Sequence, residues 1–166
     1  FNFSHGDHDE QRKRLQKLRV LRERYGKPIA SLLDTKGPEI RICDFENGRI
    51  ELKAGQKFVL TAEECLGNEE RVGITYKDLV KDVKPGTHIL IDDGLIDTEV
   101  MEVSGNDVVL NVINGGPVSN HKGINVPDVH INMPFVSEKD REDILFGIEN
   151  DVDFVAASFV RSAEDV

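Results

Sequence analysis

The stretch that most constrains this chain is Leu32-Leu33-Asp34-Thr35-Lys36-Gly37-Pro38-Glu39-Ile40-Arg41. An apolar run, Ile29-Ala30-Ser31-Leu32-Leu33, reads as a buried strand that ends abruptly in a carboxylate, a hydroxyl, an ammonium and a guanidinium. A strand that delivers polar groups at its C-terminal end is how an α/β barrel exposes chemistry on one face. Gly37 and Pro38 then redirect the chain, the first by its freedom at positive φ and the second by its fixed φ. The segment that follows lacks helical periodicity, so this stretch reads as a junction between a barrel strand, a site and an inserted domain.

Upstream, Phe1-Asn2-Phe3-Ser4-His5-Gly6 alternates like the end of a strand and breaks at Gly6. Asp7 or Asp9 can cap a helix whose apolar stripe is Leu15, Leu18, Leu21 and Tyr25. The Arg and Lys residues around that stripe read as a solvated face rather than an anion site. Gly26 and Pro28 end the helix, so strand, helix and strand form a parallel unit.

Beyond Arg41 the texture becomes one of short strands: Arg49–Leu52, Lys57–Thr61, His88–Ile91, Thr98–Val103 and Val108–Ile113. Turn signals such as Asn47-Gly48, Pro85-Gly86 and Asp93-Gly94 separate them, which predicts a small all-β barrel or sandwich with one helical turn at Tyr76–Val80. The segment from Val118 to Asn132 reads as irregular. After Met133-Pro134, Ser137 and Asp140 predict a capping box, and Asp153–Ala157 a second buried strand followed by Ser158, Phe159 and Arg161. Ser162 and Asp165 predict the cap of one more helix. An insertion that leaves and re-enters at prolines, from the C-terminal end of a strand, is expected to act as a lid over the barrel face.

Charge narrows the function classes. With 21 Lys and Arg against 31 Asp and Glu the formal charge is −10, which argues against nucleic acid as a partner. No apolar run approaches the ~20 residues of a membrane span, so no membrane partner is expected. Cys43 and Cys65 make neither a disulfide framework nor a metal-binding pair, and read as reduced residues of a cytosolic protein. The chain opens on Phe1 and stops where a helix should begin, so both ends read as cut.

Several side chains could carry chemistry. Asn2, Ser4, Asp34 and Thr35 sit at two neighbouring strand tips and could offer an amide oxygen, a hydroxyl, a carboxylate and a main-chain carbonyl. That all-oxygen set of single charge suits a hard cation of low charge density; the alternative is a turn that only satisfies its own backbone. Arg41 could bind a phosphate or pair with Glu39 or Asp44. Lys122, in Asn120-His121-Lys122-Gly123, could meet a phosphate or be an ordinary loop lysine. His5 reads as a turn residue, and Asp92-Asp93-Gly94 as a hairpin turn before a metal site.

Asn2-Phe3-Ser4-His5-Gly6, Leu33 through Arg41, Asp92-Asp93-Gly94, Lys122 through Pro127, Ser137 through Asp140 and Ala157 through Arg161 together resemble the pyruvate kinase family, in order and spacing, over essentially the whole chain. The resemblance implies an α/β fold: a partial (β/α)8 TIM-barrel A domain at 1–38 and 134–166, interrupted by an inserted all-β barrel B domain at 39–133. It implies phosphoryl transfer from phosphoenolpyruvate to ADP, giving pyruvate and ATP in glycolysis, with magnesium and potassium as cofactors, in a cytoplasmic homotetramer. By position, it makes Asn2, Ser4, Asp34 and Thr35 potassium ligands. Arg41 and Lys122 become contacts to nucleotide phosphates, with Asn2 to His5 near them, and Ser158 and Phe159 part of the substrate-pocket wall.

Asp128 departs from the pattern, standing where the family commonly has Gly. The arginine expected before Phe1 lies outside the chain, as do the catalytic lysine, the magnesium-binding acids and a catalytic threonine. A full barrel needs eight strands and about 250 residues. The 166-residue chain is therefore expected to be inactive alone, its insert to fold by itself and its flanks to expose apolar surface. The competing expectation is a non-catalytic β-barrel binding module with vestigial flanks.

Overall fold

The computed structural model describes all of residues 1–166. Asp7 accepts the Glu10 N–H and caps α1 (His8–Tyr25), which Gly26 closes in the left-handed conformation. Next come β1 (Leu32–Asp34), β2 (Ile40–Arg41), β3 (Arg49–Leu52), β4 (Lys57–Thr61), β5 (Arg71–Gly73) and the single turn α2 (Leu79–Asp82). They are followed by β6 (His88–Ile91), β7 (Ile96–Ser104), β8 (Asp107–Asn114), β9 (Gly116–Ser119) and β10 (Gly123–Asn125). The chain then forms α3 (Glu138–Glu149), β11 (Phe154–Ala156) and a 3-10 turn at Ala163–Asp165. It divides into two compact units, one of residues Phe1–Pro38 and Met133–Val166, the other Glu39–Asn132.

The first unit is a short parallel sheet backed by two helices. β1 pairs with β11 in parallel, Leu33 opposite Val155, and on its other side Asn2 bridges Asp34. Phe3, Leu15, Leu33 and Phe146 form its buried core. Gly147 lets α3 approach β1, since a Cβ there would lie 2.7 Å from Leu33 Cδ1. Ser137 and Asp140 complete the expected capping box, Asp substituting for the usual Glu. Asp153 ties the sheet to α1: one carboxylate oxygen accepts the Ser31 N–H and hydroxyl, both at 2.7 Å, and meets Arg22 at 2.5 Å. Those bonds hold the Asp153 carboxyl below its usual range, the Ser31 N–H contributing most.

Two expectations change here. The strand expected at Ile29–Leu33 is Leu32–Asp34, because Ile29 and Ala30 have no parallel partner to pair with. Of the expected helix stripe only Leu15 is buried; Leu21 is 44% and Tyr25 61% exposed, since the stripe outruns the two-stranded sheet that covers its start.

The second unit is a seven-stranded sheet in the order β2-β10-β6-β7-β8-β4-β5, with a separate β3-β9 pair. All its pairings are antiparallel except β4 with β5. Its two edges meet: Ile42, continuing β2, bridges Ile74, continuing β5, with Cys43 N–H on Gly73 O at 2.8 Å and Thr75 N–H on Arg41 O at 2.9 Å. The sheet so closes on itself, and its buried positions alternate with more exposed ones, as in β4, β6 and β8. Phe58, Leu60, Ile89, Ile91, Val108 and Leu110 are fully buried. The helical turn expected at Tyr76–Val80 falls at Leu79–Asp82. The segment expected to be irregular from Val118 to Asn132 contains the end of β9 and all of β10, whose strand character comes from remote partners in β3, β2 and β6.

Candidate functional site

In the first unit the site begins with register. Phe3 N–H donates to Asp34 O and Asp34 N–H to Phe1 O, both at 3.0 Å, so Asn2 and Asp34 stand side by side at adjacent strand tips. Asn2 Oδ1 accepts the Ser4 N–H at 2.7 Å, a tight Asx turn at the tip. Asp34 is half-buried, and its Oδ1 accepts the Ser158 hydroxyl at 3.1 Å. Thr35 is buried; its hydroxyl donates to Ala156 O at 3.3 Å and accepts the Ser158 N–H at 3.1 Å. Thr35 can still offer its main-chain carbonyl and one hydroxyl lone pair.

Amide and carboxylate oxygens each keep lone pairs beyond one hydrogen bond. The tips therefore retain acceptor capacity, and the turn that satisfies the backbone coexists with an oxygen-rich cluster. The donor set contains no thiolate or imidazole, a chemistry suited to hard cations. No group of three or more His, Cys, Asp and Glu side chains is arranged to hold a metal ion.

Gly37 and Phe159 shape the next turn. Gly37 has φ +68°, and a Cβ on it would lie 2.6 Å from Ser158 O. Phe159 itself is left-handed at φ 62°, an unusual conformation for an aromatic residue, and is half exposed. Ser158 thus joins Asp34 and Thr35, while the exposed His5 is held only through its carbonyl, which accepts from Gln11.

The second unit brings Arg41 and Lys122 together. Arg41 pairs in register with Gly123, and Ile42 N–H donates to Lys122 O at 3.0 Å. The Arg41 guanidinium donates to His121 O at 2.6 Å and pairs with Glu39 at 2.7 Å, which raises its pKa. Lys122 Nζ lies 2.9 Å from Asp92 Oδ1. Asp92 and Asp93 both have φ 54° and form the β6–β7 turn, with Leu95 N–H on Asp92 O. Each cation has a carboxylate partner, yet Arg41 has five N–H donors and Lys122 three, so an added anion can be bound alongside. Asp128 sits at φ 59°, so the conformation that Gly would supply is kept with an Asp in its place.

Sequence reasoning passed over Gln11, Lys139 and Asp143, which hold the Asn2–His5 tip from behind. The spacing of Lys139 and Asp143 is that of a helical ion pair; nothing in the sequence marks Gln11.

These features define a segment of an α/β barrel that carries an all-β insertion at a strand tip. The barrel-domain model of pyruvate kinase matches residues 1–166. The pyruvate kinase of Geobacillus stearothermophilus is 53% identical over 99% of this chain and 28% of its own length, and that of Clostridium perfringens 49% identical over 99% and 35%. A crystal structure of a pyruvate kinase from Cryptosporidium parvum superposes with a TM-score of 0.88 at 40% identity, covering 99% of this chain and 34% of its own. The chain belongs to the pyruvate kinase family, and it spans about a third or less of the length of these relatives.

Proposed function

We propose that this chain is the part of a glycolytic pyruvate kinase that binds a monovalent cation and nucleotide phosphates, in an enzyme that transfers the phosphoryl group of phosphoenolpyruvate to ADP. The observation that supports the reading is the Asn2–Asp34 bridge, which sets side by side the two strand tips that carry Asn2, Ser4, Asp34 and Thr35. That set would hold potassium, which when bound supplies positive charge for a phosphoryl group in transfer. Arg41 and Lys122 would bind nucleotide phosphates, and Ser158 and Phe159 would line the substrate pocket. Ser158, by donating to Asp34, orients the carboxylate. Phosphoryl transfer depends chiefly on positioning and charge neutralisation, which suits a site of fixed oxygens and side-chain cations.

Family membership supports magnesium as the second cofactor, held by acids outside this chain. It also supports a cytoplasmic homotetramer as the full-length form. No helix here is long and apolar enough to cross a membrane.

The test is ATP formation from phosphoenolpyruvate and ADP by the full-length protein, with potassium titrated. Asp34→Asn should raise the potassium requirement at least tenfold, since it removes the only formal charge of the set. The 166-residue chain alone should form no ATP. An Asp34→Asn enzyme with unchanged potassium dependence would refute the cation-site assignment, and turnover by the 166-residue chain would refute its expected inactivity alone.

A further inference from the structure

Three main-chain carbonyls of the Asn2–His5 tip are held by side chains from two helices. Gln11, on α1, donates from one amide nitrogen to Asn2 O at 2.9 Å and His5 O at 3.2 Å. Lys139, on α3, donates from Nζ to Phe3 O at 3.1 Å. Lys139 is itself fixed by Asp143, at 2.5 Å, whose side chain is 1% exposed. The other carboxylate oxygen of Asp143 lies 2.7 Å from His8 Nε2, and the His8 ring stacks on Phe146 at 4.5 Å.

Gln11 occupies a core position, 1% exposed, where Leu15 one turn on is apolar. Because both carbonyls require N–H donors, its amide has one orientation, and that leaves Oε1 buried without a partner. A buried amide with an unsatisfied oxygen is a poor choice for core stability alone. What it gains is control of two peptide planes, one following Asn2 and one following His5, which bracket Ser4 between them.

We infer that Gln11 and Lys139 are positioning residues for the cation ligands Asn2 and Ser4, an inference that rests on reading the strand-tip oxygens as a cation site. Clamping the carbonyls of residues 2, 3 and 5 fixes the directions in which the Asn2 and Ser4 side chains leave the backbone. Groups that orient metal ligands from behind typically control affinity by about 10–100-fold.

The experiment uses the full-length protein and follows its thermal unfolding midpoint as potassium chloride replaces tetramethylammonium chloride at constant ionic strength. A cation bound to the folded state raises the midpoint by mass action, which reports binding without any assay of turnover. Lys139→Met and Gln11→Met should raise the half-saturating potassium concentration about tenfold. Lys139→Arg should restore part of it, and Lys13→Met, on the exposed face of α1, should leave it unchanged. Midpoints without potassium separate lost stability from lost affinity. Lys139, about half exposed, carries the test if Gln11→Met does not fold. If the wild type responds to potassium and both Met variants share its half-saturation, the positioning role is overturned while the cation site stands. If the wild type responds equally to both salts, the cation site fails and the positioning role with it.

Discussion

Asp140 Oδ1 accepts the Gly37 N–H at 3.0 Å, joining the first turn of α3 to the turn that leaves β1 across 103 residues of sequence. Its Oδ2 accepts the Ser137 hydroxyl at 2.5 Å and the Ser137 N–H at 3.1 Å, so one carboxylate serves both the helix cap and the strand exit.

Burial alone would raise the Asp140 pKa; the Ser137 hydroxyl, the Gly37 and Ser137 N–H groups and the Lys139 charge together bring it below 3.8. A lowered folded-state pKa makes this contribution fully present above 3.8 and lost as pH falls through the folded value. Asp140→Ala should destabilise the first unit by about 2–3 kcal/mol at neutral pH, because it removes a cap and strands a buried N–H. Urea unfolding at neutral pH and at successively lower pH below 3.8 checks this: the gap between variant and wild type should narrow as the pH falls.

Gly37→Ala tests the strand exit from the other side. At φ +68° a Cβ is strained, and its nearest neighbour, Ser158 O at 2.6 Å, belongs to main chain that cannot swing away. The expected loss is about 2 kcal/mol or more. Thermal unfolding measures it, and a loss below about 0.5 kcal/mol would show that the turn readily repacks.

The strands that the sequence made legible are those with two-residue alternation. Arg49–Leu52, Lys57–Thr61 and His88–Ile91 fall where their patterns place them, because each buries one face, the last two inside the closed sheet and the first in the β3-β9 pair. β2 is only two residues long, and β9 and β10, of four and three residues, contain Gly, Pro or Asn. Their pairing depends on partners far away in sequence, so no local pattern reveals them. The Asn2, Ser4, Asp34 and Thr35 set could be listed from the sequence, but not that the Thr35 hydroxyl is occupied by Ala156 and Ser158. Gln11 acts on carbonyls, which every residue has, and therefore carries no signature.

His88 offers a pH-dependent probe of the second unit. Its Nδ1 lies 2.9 Å from Asp97 Oδ1, and that hydrogen bond and charge raise the His88 pKa above 6.5. A raised folded-state value means that the pair's contribution is present below 6.5 and vanishes as pH rises through the folded pKa. Two-dimensional NMR of the ring protons should show His88 titrating above 6.5, and Asp97→Asn should return it toward that value.

The two units should differ in cooperative stability. In the second, Ile42 and Ile74 close the sheet so that its edge strands protect one another, around a core that includes fully buried Phe58, Leu60, Ile89 and Leu110. In the first, β11 is the sheet edge, with Phe154 60% and Val155 49% exposed, over a core of four buried side chains. Few buried contacts and exposed backbone hydrogen bonds are what make a region open locally. Hydrogen exchange of the 166-residue chain should therefore show the slowest amides in β4, β7 and β8 and fast exchange in β11. Raising the protein concentration should slow β11 selectively, because its apolar face and open edge favour self-association. Equal protection in β8 and β11 at low concentration would show that the flanking segments already form as stable a unit as the insert.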